Sequence, residues 1–425
     1  GHDHDICRVS GIPKTYLSIG GCLSTDEYPK SPIIERAAAE RKVTSDVLSP
    51  VPSRPVPSMT IHMRWSHKLH AAAWALRCST SCSLKIGPSS STSSRAYHAV
   101  QVYETGGPEV LTFNPHMPSK SCLEPDEVRV SIQKIGVNYH DTYTRTGLYP
   151  SSTHPFVVGC EASGEITDIG SNVNVHVVGD RVAFFQYNCG YATEAVVPQD
   201  SCVSLPDDVS YELGAAALVQ GLTAHYLAHD SFALQPGSTC LIHAAGGGTG
   251  NLLLQMAKLR GATALATVQH LAGPKAEAVT QAGADYVMAY GNGYDFASSV
   301  THLLPDGVDV VYDSIGKATA VQSLQCLKPR GTCVLYGNSS GAPEAILPTP
   351  TLATKSLYVQ RPVLQHFLLT EQERATRAAD LFGWIQEGKL HIRISKTFSL
   401  QEAPKAHAFL ESRRAHGKVI LDPWI

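Results

Sequence analysis

The sequence predicts an α/β protein in which a β-rich domain precedes a doubly wound parallel-sheet domain. Short strands separated by glycine and proline turns begin near Tyr97, a pattern typical of an antiparallel, barrel-like domain. From about Gly214 onward, helices alternate with short apolar strands, which indicates a parallel sheet. We place the two domains at 97–219 and 220–362, and we expect 363–425 to return to the first domain.

The composition is that of a globular enzyme. A chain of 425 residues is too long for a single hydrophobic core, because a domain usually has roughly 100–200 residues. We therefore expect two domains. A net charge of −3 provides no basic field for nucleic acid. The sequence contains no run of about 18 apolar residues, so it predicts no membrane span. The 11 cysteines show no paired spacing, which favours reduced thiols over a disulfide framework.

Residues 1–96 show no strand–helix alternation, and we expect them to form a disordered leader. Between Met59 and Tyr103 there is no aspartate or glutamate, while basic residues and serine are frequent. A basic, serine-rich and acid-free segment is typical of a mitochondrial transit peptide. We therefore expect a transit peptide within 59–96 and a protein of the mitochondrial matrix. The alternative is a cytoplasmic protein with a disordered tail.

The individual elements follow from the spacing of apolar residues and turns. In the first domain the predicted strands are His98–Tyr103, Val128–Ile132 continued by Ile135–Val137, Ala162–Ile169, Arg181–Phe185 and Tyr191–Val197. In the second they are Thr239–His243, Ala264–Val268, Tyr286–Met288, Val308–Tyr312 and Thr332–Leu335. A long helix is predicted over Glu371–Gln386.

A turn of small residues follows the strand Thr239–His243 and precedes a predicted helix, Asn251–Leu259. Within it, Ala245, Gly247 and Gly250 have the spacing of a dinucleotide-binding turn. Small residues let the backbone approach a pyrophosphate, and the free N–H groups of the helix N-terminus attract its charge. The alternative is a tight turn that binds no ligand.

The next strand indicates which nicotinamide cofactor is preferred. A protein selective for NAD carries Asp or Glu at its end to bind the ribose 2′-hydroxyl. Here the strand ends in Thr267–His270 without a carboxylate, and Lys275 follows. A 2′-phosphate would meet a cation rather than an acid, so we expect NADPH. Lys275 could alternatively be a solvated surface lysine.

Several motifs resemble one known family. They are Gly136–Tyr143 (GVNYHDTY), Arg145–Pro150 (RTGLYP), Gln220–Tyr226 (QGLTAHY), Val310–Gly316 (VVYDSIG), Gly337–Gly341 (GNSSG) and Leu410–Arg414 (LESRR). Together they resemble the quinone oxidoreductase (zeta-crystallin-like) branch of the zinc-free medium-chain dehydrogenase/reductase superfamily. The likeness covers about 97–425 and leaves the leader outside.

The resemblance implies a GroES-like catalytic domain, a Rossmann domain and NADPH in the cleft between them. It also implies reduction of a small-molecule quinone by hydride or electron transfer, and a homodimer. The cofactor residues that it implies are Thr223, Ala245, Gly246, Gly247, Gly248, Thr249, Gly250, Lys275, Tyr290, Tyr336, Gly337, Asn338, Ser339 and Arg413. The catalytic or substrate residues are Asn138, Asp141, Tyr143 and Tyr149.

Some of these assignments have structural alternatives. Tyr149 is either a proton donor or a packing residue, and Asp141 either borders the substrate or fixes the local loop. Thr249 stands where the family usually has valine, and His270–Pro274 is longer than usual before Lys275.

We expect no metal. Zinc alcohol dehydrogenases of the same superfamily bind zinc through a cysteine, a histidine before glutamate and a second cysteine. Here Asn138 stands at the first ligand position, and Cys160 replaces the histidine before Glu161. Catalytic zinc needs three protein ligands and an open position.

Two other functions remain open. One is reduction of 2-enoyl thioesters in mitochondria, because such reductases share the fold, the cofactor and a tyrosine near Tyr149. The other is a non-enzymatic, NADPH-binding structural or RNA-binding role. The sequence has no basic, aromatic stripe that would favour RNA.

Overall fold

The computed structural model describes Cys7–Arg8, 96–290, 294–343, 345–346 and 348–425. The predicted leader and transit peptide therefore lie outside the described residues, apart from Cys7–Arg8 and Ala96, which belong to strands. Within the described ranges, no helix has both the length and the apolar character needed to cross a bilayer.

The β-rich part is built from short strands, as predicted. Strand β1 (Cys7–Arg8) comes before it in the chain and belongs to the other sheet. In chain order the elements of the β-rich part are β2 (Ala96–Val102), β3 (Leu111–Pro118), β4 (Glu127–Val137), α1 (Tyr139–Thr146), β5 (Phe156–Val157), β6 (Glu161–Ile169), β7 (Arg181–Phe185), β8 (Glu194–Pro198) and β9 (Cys202–Ser204). In β4, Val128, Val130 and Ile132 are buried at alternate positions, which is the period of a strand. The two predicted runs within 128–137 are one continuous strand.

The second part alternates helices and strands. Its elements are α2 (Tyr211–Tyr226), β10 (Thr239–Ile242), α3 (Gly248–Leu259), β11 (Thr263–Val268), α4 (Pro274–Gln281), β12 (Tyr286–Ala289), α5 (Phe296–Leu303), β13 (Val308–Asp313), α6 (Ala320–Gln325), β14 (Leu327–Leu335), β15 (Tyr358–Gln360) and α7 (Glu371–Gln386). The chain ends in β16 (Ile394–Ser399), α8 (Ala403–Glu411) and β17 (Lys418–Asp422). Helix α7 has the predicted bounds.

The parallel sheet has the strand order β12–β11–β10–β13–β14–β15, with β1 antiparallel at the β12 edge. The order reverses between β10 and β13, and a crevice opens at the carboxyl ends of strands at such a point. The mixed sheet has the order β16–β17–β4–β6–β7–β9, with β8 also paired to β4, and β3–β2–β5 form a smaller sheet. The protein thus has the predicted α/β architecture, a GroES-like part and a Rossmann sheet.

Helix α2 packs against both parts, so the predicted boundary at 219/220 lies inside a helix. It contacts β4, β6 and β7 on one side and α3 and α7 on the other. A helix that is apolar around most of its circumference is buried on more than one side, and Ala215, Ala217, Leu218 and Leu222 are all buried. Because α7 also joins the core beside α2, the return to the mixed sheet begins at β16 rather than at residue 363.

Candidate active site

The small-residue turn after β10 has the geometry of a phosphate cradle. Helix α3 begins at Gly248, three residues before the predicted start. A Cβ on Gly250 would lie 2.7 Å from the carbonyl oxygen of Ala244, and one on Gly248 would lie 1.9 Å from Oε1 of Gln220. Side chains therefore cannot be added without displacing the helix or Gln220, and the free N–H groups of the helix N-terminus remain open to an anion.

A cleft of about 650 Å³ lies at the carboxyl ends of the parallel strands, facing α1. Most predicted site residues line it: Asn138, Tyr143, Tyr149, Thr223, Gly246, Gly247, Gly248, Thr249, Gly250, Lys275, Tyr290, Tyr336, Gly337, Ser339 and Arg413. Three predicted residues do not. Ala245 and Asp141 are buried beneath the wall, and Asn338 is buried behind the two tyrosines. The cleft gathers segments from both parts of the chain, as a dinucleotide site requires.

Two cations meet at one end of the cleft. The ammonium of Lys275 donates a hydrogen bond to the carbonyl of Arg413 at 2.6 Å. Burial, and then the neighbouring Arg413 charge, lower the pKa of Lys275. Gln269, which follows β11, also lines the cleft, and among the described residues that line it none carries a carboxylate. A doubly charged phosphate would compensate both cations, so this end fits a 2′-phosphate better than a 2′-hydroxyl.

Two tyrosine hydroxyls from the GroES-like part are held by Asn338, which follows β14. The backbone N–H of Asn338 donates to the Tyr143 hydroxyl at 3.1 Å. With the Asn338 amide oriented by its partners, its oxygen lies 3.1 Å from the Tyr149 hydroxyl and 3.0 Å from Nη2 of Arg361. Arg361 also donates to the Tyr149 oxygen at 2.8 Å. The guanidinium polarises the phenol, which makes Tyr149 a stronger hydrogen-bond donor.

Arg361, His140 and Tyr187 line the cleft but were not predicted. The His140 ring stacks on Tyr187 with centroids 4.4 Å apart and lies 5.4 Å from Tyr149. Burial lowers the pKa of His140 to about 4, so its imidazole is neutral at pH 7. His140 lies inside the motif GVNYHDTY, which is a signal that could have identified it. Tyr187 and Arg361 had no such signal, because neither lies in a quoted motif.

A buried ion pair supports Asn138. The Lys418 ammonium lies 2.5 Å from Oε2 of Glu161 and donates to Oδ1 of Asn138 at 2.8 Å. The Asn138 amide nitrogen donates to the same Glu161 oxygen at 2.9 Å. The other Glu161 oxygen accepts the backbone N–H of Val219 in α2. All polar atoms of the Asn138 side chain are thus engaged, which fixes the face that it presents to the cleft.

Asp141 acts below the cleft wall rather than on it. Its carboxylate accepts the Asn138 backbone N–H at 2.8 Å, at the start of α1, and the Tyr191 hydroxyl at 3.0 Å. Burial raises the pKa of Asp141 to about 6 despite these bonds. The Tyr191 hydroxyl lies 2.9 Å from Nε2 of His407, which continues the buried chain into α8. The geometry favours the reading in which Asp141 fixes the local loop.

The residues at the zinc-ligand positions do not match a zinc site. Both ends of the Asn138 amide are already hydrogen bonded. Burial raises the pKa of the Cys160 thiol well above its usual value, whereas zinc binds the thiolate. His140, Asp141 and Cys160 do bring ligand atoms within 4.8 Å of one another. Both hydrogen bonds of Asp141 go to Oδ2, and Oδ1 has no hydrogen-bond partner among the described residues. Because the third member of the group, the Cys160 thiol, stays protonated, we derive no step through a metal.

Two family models match the chain. One is described as an alcohol dehydrogenase GroES-like domain and matches residues 124–234. The other is described as a zinc-binding dehydrogenase and matches residues 282–421. Together they cover segments of both sheets, including β4 with α1 and β13 with β14.

Relatives and solved structures agree with these models. The chain is 40% identical over 328 residues to a quinone oxidoreductase of Pseudomonas aeruginosa, covering 76% of this chain and 99% of the relative. It is 35% identical to a 2-haloacrylate reductase of Burkholderia sp, over 76% of this chain and 98% of that one. The solved quinone oxidoreductase of Escherichia coli complexed with NADPH superposes with a TM-score of 0.73 at 35% identity, covering 77% of this chain and all of the other. The chain therefore belongs to the quinone oxidoreductase branch of the medium-chain dehydrogenase/reductase superfamily.

Proposed function

We propose that the protein reduces quinones with NADPH, without a metal. The observation that carries this proposal is one cleft with a phosphate cradle and a cation pair at one end and two anchored tyrosine hydroxyls at the other. The relatives named as quinone oxidoreductases, and the NADPH complex of one of them, support it.

The chemistry divides between cofactor and chain. When bound, NADPH supplies the hydride, so quinone, NADPH and one proton give hydroquinone and NADP⁺. The turn at 245–250 holds the pyrophosphate, and Lys275 with Arg413 holds the 2′-phosphate. Asn138 and Tyr143 border the acceptor, and the Tyr149 hydroxyl turns its single proton from the Asn338 oxygen to the acceptor oxygen as negative charge develops there. The walls exclude water and align the reacting groups.

Initial rates with NADPH and NADH test the proposal against a panel of quinones, 2-haloacrylate and 2-enoyl thioesters. We expect quinones to be reduced fastest and NADPH to be preferred by at least about tenfold, or roughly 1.4 kcal/mol. Activity should survive dialysis against a chelator. Comparable efficiency with NADH, or activity lost to the chelator and restored by zinc, would contradict the corresponding part of the proposal. If no acceptor is turned over, the proposed reaction is contradicted and a non-enzymatic role is favoured.

Reduction of an activated carbon–carbon double bond is the second candidate. The Tyr149 hydroxyl with its Arg361 partner favours it, because such a reduction needs a proton delivered in place as well as a hydride. The relative named as a 2-haloacrylate reductase points the same way. Enoyl thioesters belong to this class of acceptor.

Changing Tyr149 to phenylalanine distinguishes the two candidates. A general acid contributes about 10²–10⁴ in rate. We expect Tyr149→Phe to lower kcat about hundredfold for 2-haloacrylate but by less than about tenfold for quinones, whose reduced oxygens can take protons from water. Arg361→Lys should cause smaller losses, again larger for 2-haloacrylate than for quinones. Tyr103→Phe, at an exposed residue that follows β2, should cause none. Equal losses would contradict the distinction: small ones on both acceptor classes would show that Tyr149 only packs, and large ones that it serves both reactions.

We also propose a homodimer. Strand β15 forms an edge of the parallel sheet, and its Tyr358 side chain is 59% exposed. Free backbone groups on such an edge can pair with a second copy. Sedimentation equilibrium should give twice the mass of one chain. For the Val359→Pro variant it should give the mass of a single chain. A monomer at micromolar concentration would contradict the proposal.

For location, we propose the mitochondrial matrix, on the composition of residues 59–96. N-terminal sequencing of the native protein should then find a mature start near Arg95. A cytosolic form that retains Met63–Arg95 would contradict this.

A further inference from the structure

A second cavity, of about 320 Å³, adjoins the cleft. Phe185, Tyr187 and Gln365 line both spaces and therefore belong to the wall that the two share. The volume lies at the lower end of small-molecule sites, which span roughly 300–1,000 Å³. We call this cavity the side chamber. Its wall includes Val203, Leu218, Leu222, Leu368, Asp200 and Arg374.

The inner wall of the side chamber is apolar. Leu218 and Leu222 come from α2, Val203 from β9, and Leu368 from the segment before α7. The polar groups are already paired with one another. Nη2 of Arg374 lies 3.0 Å from Asp200, and Ser201 donates to Gln186 at 3.0 Å. An occupant therefore gains by burying apolar surface and finds few free polar partners.

A row of aromatic rings extends from Tyr149, where the acceptor is proposed to react, to the side chamber. His140 lies between Tyr149 and Tyr187, at 5.4 Å and 4.4 Å between centroids. Tyr187 then meets Phe185 edge-on at 5.0 Å. A molecule whose reacting ring lies beside Tyr149 could extend a chain along this aromatic wall into the side chamber.

We infer that the side chamber binds an apolar alkyl or isoprenyl chain carried by the electron acceptor. At roughly 30 Å³ for a water-sized group, it holds about ten non-hydrogen atoms, which is a chain of two isoprene units or a decyl group. The inference rests on the proposed function for the position of the acceptor ring. It adds that acceptors with such a chain are preferred over compact ones.

Equilibrium binding tests the inference without requiring turnover. Methyl- and decyl-benzoquinone are titrated by calorimetry into the enzyme complexed with NADP⁺. Because each methylene removed from water strengthens binding by up to about fourfold, we expect the decyl compound to bind at least about thirtyfold more tightly. Turnover of the methyl compound is measured separately, so failure of the proposed function would be distinguished from failure of this inference.

Filling the side chamber should remove the preference. We expect Leu368→Trp, and independently Val203→Phe, to reduce the ratio of the two dissociation constants to less than about threefold. The matched control is Leu369→Trp, because Leu369 is the adjacent residue, is 70% exposed and is not part of the chamber wall. It should keep the full ratio. Thermal melting identifies any variant that does not fold. Equal affinities in the unmodified enzyme, or a ratio unchanged in a folded filled variant, would overturn the inference.

Discussion

Lys275→Ala and Arg413→Ala are each expected to raise KM for NADPH by about ten- to hundredfold while leaving KM for NADH little changed. The Lys275 ammonium lies against the Arg413 backbone at the end of the cleft, and no carboxylate lines the cleft in the part of the chain that the structure describes. A hydrogen bond to a charged group contributes about 1.5–3 kcal/mol, and only NADPH carries the extra phosphate. The loss is therefore confined to the phosphorylated cofactor. Initial rates over a range of each cofactor measure it.

The matched control for this prediction is Arg414→Ala. Arg414 follows Arg413 directly, but its guanidinium lies over the Phe409 ring at 5.5 Å and does not line the cleft. The control should retain the preference for NADPH. If Arg414→Ala raises KM for NADPH as much as Arg413→Ala does, the effect comes from net positive charge rather than from a phosphate contact.

Lys418→Met is expected to lower the free energy of unfolding by about 3–5 kcal/mol, because it leaves the Glu161 carboxylate buried without its partner. Both side chains are 0% exposed. Glu161→Gln should be similarly destabilising, since it leaves the ammonium unpaired. Each single variant should also lower kcat, because Asn138 loses its Lys418 donor in one and the charged acceptor of its amide in the other. Urea titration of the cofactor-free protein measures the stability.

The double variant Glu161→Gln/Lys418→Met separates charge pairing from packing. With both charges removed, most of the lost stability should return, as it does when buried ion pairs are replaced by neutral groups. The exposed pair Lys405–Glu402 provides the control, because breaking a surface ion pair changes stability by about 0–1 kcal/mol. A loss below about 1 kcal/mol for Lys418→Met would show that water reaches this pair.

The cofactor half of the site can be predicted from the sequence because its residues lie close together in the chain. The turn, its flanking strand and helix, and the missing carboxylate after Val268 lie within 239–275. Steric demands between near neighbours, such as Gly250 against the Ala244 carbonyl, leave a pattern in the residues themselves. Lys275 is predicted for the same reason, although only the structure brings Arg413 beside it.

The acceptor half is harder to predict from the sequence because its hydrogen-bonded residues come from distant parts of the chain. Tyr149 and Arg361 are 212 residues apart, and Asn138 and Lys418 are 280 apart. A lone arginine after β15 or a lysine at the start of β17 has no sequence pattern that predicts a role. Tyr187 likewise gains its role only by stacking on His140.

The α/β class, the bounds of β7 and α7, the phosphate turn and the family could all be predicted from local features of the sequence. These features depend on period, turn residues and spacing, which are properties of neighbouring residues. Only the tertiary structure decided that α2 is shared by both parts and that Asp141 lies below the cleft wall. It also decided that Arg361 polarises Tyr149 and that a side chamber opens behind Tyr187. Those outcomes depend on which buried faces pack together and which charges are left unpaired, and chain folding alone brings such groups into contact.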